Sequence, residues 1–152
     1  MTTTAAPELA MLDTNVLVYA FDQQSKFHNA SRTLLVKAAD AESQGHYSVT
    51  PQILAEFFAV VTNPRRVHNP RTPQALDVIE RLMALPRLTV LAIPIDVVSR
   101  WVKLIRMHQV RGSAVFDTQL AATMQANGVR KIYTFDRAHF EHFSELEIVT
   151  PQ

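Results

Sequence analysis

The chain has 152 residues, no cysteine and a formal net charge of +1. The lack of cysteine excludes disulfides, thiolate zinc sites and cysteine nucleophiles, and the length suits one domain that buries roughly 70% of its unfolded surface. The first residues lack the pattern of a signal peptide, and no apolar run reaches the ~20 residues that span a bilayer. We therefore expect a cytoplasmic protein with no membrane partner, a tail at residues 1–8 and one domain at 9–150.

Strand-like and helix-like segments alternate along the chain. Short apolar runs predict strands at residues 9–13, 46–49, 88–93, 131–135 and 146–149. Apolar residues at helical spacing predict helices at residues 14–20, 28–44, 51–63, 72–85, 94–108 and 113–127. This alternation favours an α/β fold with a mainly parallel sheet of four to five short strands and helices on both faces.

Capping residues and apolar spacing define several of these helices. Thr50 and Thr72 each precede a proline and are typical N-caps, whereas Gly45 and Gly128 are typical of positions just past a helix end. In the last helix the apolar stripe is predicted to consist of residues spaced four apart, namely Phe116, Leu120 and Met124.

Four acids lie at strand ends or on largely apolar helices: Asp13, Glu56, Asp117 and Asp136. Asp13 and Asp136 directly follow predicted strands, and ligands of parallel sheets bind outside the carboxyl ends of the strands. The first turns of the following helices face the same edge, so Glu56 and Asp117 can join them. For Asp13 alone, a helix N-cap explains the residue equally well.

A cluster of carboxylates requires protons, water or a cation. Two carboxylates ~4 Å apart repel each other by about 4 kcal/mol at an effective dielectric constant of ~20. An all-oxygen site suits Mg²⁺ or Mn²⁺, which activates water for attack on a phosphodiester. Outside these four acids the chain has 15 Lys and Arg residues and 10 acids. A basic body around an acidic pocket fits a polyanionic substrate.

A loop rich in proline and arginine is predicted at residues 63–71. Arg65, Arg66 and Arg71 in this loop fit a rim that contacts RNA phosphates. His68 belongs to the same segment. The simpler alternative is a solvated surface loop.

The segments around the four acids resemble the acidic motifs of PIN-domain ribonucleases, in the family's order. The matching segments are Met11–Leu17, Glu56, Phe116–Ala122 and Tyr133–Phe140. The size of the chain and the near absence of insertions resemble the VapC toxin branch of type II toxin-antitoxin systems. The resemblance covers the chain from Leu9 to Val149.

This resemblance implies a metal-dependent endoribonuclease that cleaves RNA and is usually a homodimer. It also implies a small cognate antitoxin that occludes the acidic cleft. Asp13 and Asp117 match the principal Mg²⁺ ligands, with Mn²⁺ as the alternative ion. Glu56 and Asp136 match acids that act through metal-bound water or a second ion.

Two further residues match polar side chains that orient the acids, namely Asn15 and Thr134. One departure concerns Ala121, which stands where some members carry a further acid one helical turn after the third motif. This departure leaves it open whether one metal ion or two are bound.

Three alternatives accompany the nuclease interpretation. A catalytically silent RNA-binding or protein-interaction module on the same fold would be marked by loss of an acid, and all four are present. A phosphatase of the haloacid-dehalogenase type needs a second acid two positions after Asp13, where this chain has Asn15. A metal site at His139 and His142, beside Glu141, has no third ligand nearby.

Overall fold

The computed structural model describes residues 7–66 and 70–152. In these ranges one sheet has the strand order β3-β2-β1-β4-β5, and every neighbouring pair is parallel. The strands are β1 (Leu9–Leu12), β2 (His46–Val49), β3 (Leu88–Val90), β4 (Lys131–Tyr133) and β5 (Glu147–Val149). The predicted α/β fold with four to five parallel strands is confirmed. Residues 1–6 of the predicted tail and His68 of the predicted loop lie outside the described residues.

The helices of the described ranges form two groups. They are α1 (Thr14–Phe21), α2 (His28–Ala39), α3 (Pro51–Val61), α4 (Thr72–Met83), α5 (Val97–His108) and α6 (Ala114–Ala126). In the first group α1 packs on α2 and α3, and α3 packs on α4, while α5 packs on α6. Right-handed crossovers between parallel strands place these two groups on opposite faces of the sheet. Over the described residues, each helix is too short or too polar to cross a bilayer.

The hydrophobic core lies on both sides of the central strand. Met11 and Leu12 of β1 and Ile132 of β4 are completely buried, as are Val16 and Leu17 of α1. Together these apolar side chains fix β1 and β4 as neighbours, with Met11 in register with Ile132.

The strand order creates a crevice beside β1. The chain runs from β1 to β2 and β3 on one side, and then crosses to β4 and β5 on the other. In parallel sheets the carboxyl ends of the strands at such a reversal form the usual ligand site. Asp13 follows β1 and Thr134 follows β4, so both residues lie at this switch point.

The structure corrects one predicted helix end and one predicted cap, and α5 begins at Val97 instead of residue 94. The second helix ends at Ala39 instead of Gln44, because the Asp40 side chain accepts a hydrogen bond of 2.9 Å from the backbone N–H of Glu42 and turns the chain. Thr72 is the first residue of α4 and not its cap. The residue at the cap position is Arg71, whose backbone N–H donates to the Gln74 side chain at 2.7 Å.

The predicted apolar stripe of the last helix is also wrong at its first position. Leu120 and Met124 are buried, but Phe116 is 54% exposed. Thr118 and all residues from Leu120 to Met124 are buried, so α6 is enclosed on nearly all sides after its first turn. Phe116 precedes this enclosed part of the helix.

Candidate active site

Asp13 ends the central strand and begins the first helix. It is the N-cap of α1, and its Oδ1 accepts a hydrogen bond of 2.8 Å from the backbone N–H of Thr14. Its own backbone N–H donates to the carbonyl of Tyr133 at 3.0 Å, which joins the ends of β1 and β4. The cap predicted as an alternative role is therefore present, and it uses one of the two carboxylate oxygens of Asp13.

Two polar side chains hold the other oxygen, Oδ2 of Asp13. The hydroxyl of Thr134 donates to it at 2.7 Å, and the amide nitrogen of Asn15 lies 3.4 Å away. The same amide nitrogen donates to Oδ2 of Asp136 at 3.1 Å, and Oδ1 of Asn15 accepts from the backbone N–H of Phe135 at 3.3 Å. Thr134 is completely buried and also accepts from the backbone N–H of Asp136 at 3.0 Å. Asn15 and Thr134 thus bridge the acids that follow β1 and β4.

Glu56 reaches this region from the second turn of α3. That helix begins at Thr50, whose hydroxyl oxygen accepts from the backbone N–H of Ile53 at 3.1 Å. Oε2 of Glu56 accepts from the hydroxyl of Thr14 at 2.9 Å, and its Oε1 accepts from the amide of Gln52 at 2.8 Å. Each oxygen of the carboxylate therefore has a fixed partner, and Thr14 links Glu56 to the Asp13 segment.

Asp117 lies in the first turn of α6 and contacts a histidine. Its Oδ2 is 3.3 Å from Nδ1 of His139, which belongs to the short 3₁₀ turn Arg137–His139 after Asp136. The buried rings of Phe140 and Phe143 anchor the segment that carries this turn. The third acidic motif is thereby connected to the fourth.

Burial and neighbouring acidic charges raise the pKa values of Asp13 and Asp117. The pKa of Asp13 is raised from 3.8 to about 6, mainly by burial, which disfavours the charged form, and to a smaller extent by the charges of Asp117 and Asp136. The hydrogen bonds from Thr134 and Thr14 oppose this increase. The pKa of Asp117 is also raised, first by burial and then by Glu56 and Asp136, while His139 lowers it. Asp117 and Asp136 therefore lie close enough to affect the pKa of Asp13, and Glu56 and Asp136 close enough to affect that of Asp117.

The donor set fits a hard divalent cation. Repelling carboxylates in a partly buried site leave negative charge that such an ion would offset, and all four acids supply oxygen. Across residues 7–66 and 70–152, no three His, Cys, Asp or Glu side chains form a ready-made metal cluster. An arrangement with fewer than three clustered ligands is compatible with Mg²⁺, because this ion usually keeps several water ligands and binds through one or two carboxylates.

The two histidines proposed as an alternative metal site contact different groups. His139 pairs with Asp117, whereas the ring of His142 lies 5.0 Å from that of His108 and 4.0 Å from that of Phe143. Burial, and then the neighbouring His108, lower the pKa of His142. Among the described residues, no third His, Asp or Glu side chain joins these two histidines in a group that could hold a metal ion.

The PIN domain family model matches residues 10–146, which is most of the chain. The chain belongs to the PIN domain family. Ribonuclease VapC24 of Mycobacterium tuberculosis is 26% identical over 141 residues, covering 92% of this chain and 94% of that protein.

Solved structures of other proteins have the same fold. One is M. tuberculosis VapC20, described as a toxin that cleaves the sarcin-ricin loop, with a TM-score of 0.67, 17% identity and coverage of 93% of this chain and 99% of that one. Another is a toxin-antitoxin complex from Klebsiella pneumoniae, with a TM-score of 0.61, 18% identity and coverage of 94% and 98%. At these identities the comparison shows the PIN fold alone.

Three contacts of this PIN domain site were missed by sequence reasoning. Thr14 and Gln52 both bind Glu56, and His139 binds Asp117. A signal existed only for Gln52, which precedes Glu56 by four residues and so lies on the same helix face.

The predicted arginine rim lies away from the four acids. Arg66 pairs with Asp22 at 3.5 Å, and Asp22 is the C-cap of α1, at the opposite end of that helix from Asp13. Arg65 and Arg66 line a groove of about 1170 Å³ between the ends of α1, α3 and α4. None of the four acids lines this groove. Arginine contacts there would be separate from the acidic site.

Proposed function

We propose that this PIN domain is a divalent-metal-dependent endoribonuclease that hydrolyses RNA phosphodiester bonds and acts as the toxin of a toxin-antitoxin pair. The observation that carries the proposal is the linked set of four acids at the switch point, with the pKa of Asp13 raised to about 6 by burial and by its acidic neighbours. The likeness to Ribonuclease VapC24 over 92% of this chain supports the same activity.

Asp13 and Asp117 are the residues that would hold Mg²⁺ or Mn²⁺. The ion, when bound, supplies Lewis-acid stabilisation of charge on the scissile phosphate and activation of the attacking water. Two hydrogen bonds fix the rotamer of Asp13. The backbone N–H of Thr14 donates to Oδ1, and the hydroxyl of Thr134 donates to Oδ2. Such fixed ligands reduce the reorganisation that binding requires.

Glu56 is suited to accept a proton from the attacking water. Each of its oxygens accepts one hydrogen bond, from Thr14 or from Gln52, and retains a lone pair for a further donor. Asp136 is held by Asn15 and is exposed, so it can orient a water molecule that gives a proton to the leaving oxygen of the RNA. Thr14, Gln52 and Asn15 are positioning residues in this scheme.

The proposed partners follow from the same assignment. The structure from K. pneumoniae is a toxin-antitoxin complex, which supports a small cognate antitoxin that covers the acidic cleft of this protein. We also propose a homodimer that acts in the cytoplasm on RNA. The alternative function, a silent RNA-binding or protein-interaction module, requires that the acids be dispensable.

Cleavage of total RNA by the purified full-length protein tests the proposal. Activity should require Mg²⁺ or Mn²⁺, stop in excess EDTA and return when the ion is added again. Asp13→Asn and Asp117→Asn should each abolish cleavage. Unchanged cleavage in EDTA would show that the reaction needs no metal ion. Active Asp13→Asn and Asp117→Asn variants would show that these two acids are not the catalytic site.

A further inference from the structure

Three aromatic rings pack together beside the acidic site. Ring centroids are 5.1 Å apart for Tyr19 and Phe27, 5.3 Å for Tyr19 and Phe135, and 4.3 Å for Phe27 and Phe135. Phe135 stands between Thr134 and Asp136 in the chain, and its backbone N–H donates to a side chain of the acidic site. The aromatic cluster is therefore continuous with the site.

All three rings are half-buried, and Phe27 is the one that lies outside the hydrophobic core. Tyr19 and Phe135 also pack against the hydrophobic core, whereas Phe27 is not part of that core and is half-buried. The ammonium group of Lys26 lies over the Phe27 ring, 4.9 Å from its centroid, and Lys26 is exposed. A ligand that stacks on this ring would displace the exposed Lys26 side chain.

The backbone around Phe27 is held in place. Its N–H donates to the hydroxyl oxygen of Ser25 at 3.1 Å, and Phe27 itself occupies the N-cap position of α2. Nδ1 of His28 lies 3.1 Å from the carbonyl oxygen of Tyr19, which ties α2 to α1. A ring fixed in this way loses little conformational freedom when a flat ligand binds to it.

We propose that Phe27, backed by Phe135 and Tyr19, is a stacking platform for one nucleobase of single-stranded RNA, and that Lys26 contacts an adjoining phosphate. The proposal rests on the proposed function, because it concerns how an RNA substrate is held beside Asp136. Aromatic rings that stack unpaired bases, together with a neighbouring cation for the backbone, are the usual means of holding single-stranded RNA.

RNA binding by an inactive protein tests the platform. The full-length Asp117→Asn protein is the background, since Asp117 contacts none of the three rings, and the probes are a short single-stranded RNA and its abasic counterpart. Phe27→Leu should weaken binding of the base-containing RNA about 5-fold or more and leave abasic binding unchanged. Phe58→Leu is the matched control, because Phe58 is half-buried like Phe27 but packs against the hydrophobic core and does not line the groove of Arg65 and Arg66.

Two further variants separate the ring from the charge. Phe27→Trp should preserve both the affinity and the quenching of a 2-aminopurine base in the RNA, whereas Phe27→Leu should lose the quenching. Lys26→Gln should weaken binding of both RNAs and reduce its salt dependence. Equal loss for base-containing and abasic RNA in Phe27→Leu, or quenching that persists in it, would overturn the platform.

The platform and the proposed function can fail separately. Wild-type cleavage of RNA reports on the proposed function, and binding by the inactive protein reports on Phe27. If the wild type cleaves RNA while Phe27→Leu binds as its parent does, the platform is wrong and the nuclease assignment stands. If the wild type neither cleaves nor binds RNA, both are wrong.

Discussion

The Nδ1 atom of His139 lies 3.3 Å from Oδ2 of Asp117, one of the two proposed metal ligands. This contact joins the 3₁₀ turn after β4 to the first turn of α6, and it occupies a carboxylate oxygen that an ion would use. Metal binding and the histidine contact therefore compete for the same atom.

Replacement of His139 should strengthen metal binding. A typical hydrogen bond contributes about 0.5–1.5 kcal/mol, so His139→Ala should bind Mn²⁺ about 2- to 10-fold more tightly, measured by isothermal titration calorimetry. His46→Ala is the control, because His46 is the first residue of β2 and lies at the end of the parallel sheet opposite to the acids. Weaker Mn²⁺ binding by His139→Ala would instead mean that the histidine holds Asp117 in its binding position.

The raised pKa of Asp13 predicts how the stability of the metal-free protein depends on pH. The pKa is 3.8 ordinarily and about 6 in the folded protein, so the folded state binds the proton more tightly. The contribution of Asp13 to stability should therefore be greatest below pH ~4, decline as the pH rises to ~6 and stay level above it. For one buried carboxylate the change is at most about 3 kcal/mol.

Comparison with Asp13→Asn isolates this contribution. Thermal melts in EDTA between pH 4 and 8 should show the wild type losing stability relative to Asp13→Asn as the pH rises, because the variant has no charge to bury. Parallel pH dependence of the two proteins would mean that Asp13 keeps an ordinary pKa. A large loss of stability in Asp13→Asn at every pH would show that the helix cap of Asp13 stabilises the fold by more than its buried charge destabilises it.

Thr134 should affect both stability and the pH profile of activity. Thr134→Val removes a hydroxyl that donates to Asp13 and accepts from the N–H of Asp136, and it should cost about 1–3 kcal/mol. The pKa of Asp13 should also rise, so the acid limb of the pH-rate profile should move to higher pH. Thr123→Val is the control, since that equally buried hydroxyl donates only to the backbone of its own helix. An unmoved profile would exclude this role.

The sequence predicted the fold and the four acids because these features depend on local patterns. Strands that end in a carboxylate, such as the segment before Asp13, can be recognised in the sequence, and the carboxyl edge of a parallel sheet brings the residues after each strand together. Contacts between distant segments carry no such pattern. The bond from Thr14 to Glu56 spans 42 residues, and the contact between His139 and Asp117 depends on how the 3₁₀ turn packs against α6.

The exposed Phe116 shows a different limit of sequence reasoning. A spacing of four residues predicts one buried face of a helix. In α6, however, every residue from Leu120 to Met124 is buried. Periodicity therefore could not show which end of the helix enters the core. The aromatic cluster was missed because Tyr19, Phe27 and Phe135 come from three separate segments.

Glu56 should contribute to the chemical step and not to RNA affinity. Glu56→Gln keeps the shape of the side chain but cannot accept a proton, so kcat should fall by about 100-fold or more while Kd for RNA stays unchanged. Gln52→Leu should show a smaller fall, because it removes one of the two hydrogen bonds that orient the carboxylate. Single-turnover cleavage and equilibrium binding measure the two effects. Full kcat in Glu56→Gln would leave Glu56 a structural role.

Arg65, Arg66 and Arg71 should contribute to RNA affinity and not to catalysis. Arg66 pairs with Asp22 at the end of α1, and an eight-residue helix spans about 12 Å, so Arg66 is held about one helix length from Asp13. The triple alanine variant should raise KM and reduce the salt dependence of binding at nearly unchanged kcat, measured with saturating RNA over a salt series. Arg130→Ala, an exposed arginine outside this loop, is the control. Unchanged binding would mean that the segment is a solvated surface loop without RNA contacts. A fall in kcat alone would mean that these arginines act on the chemical step at the four acids.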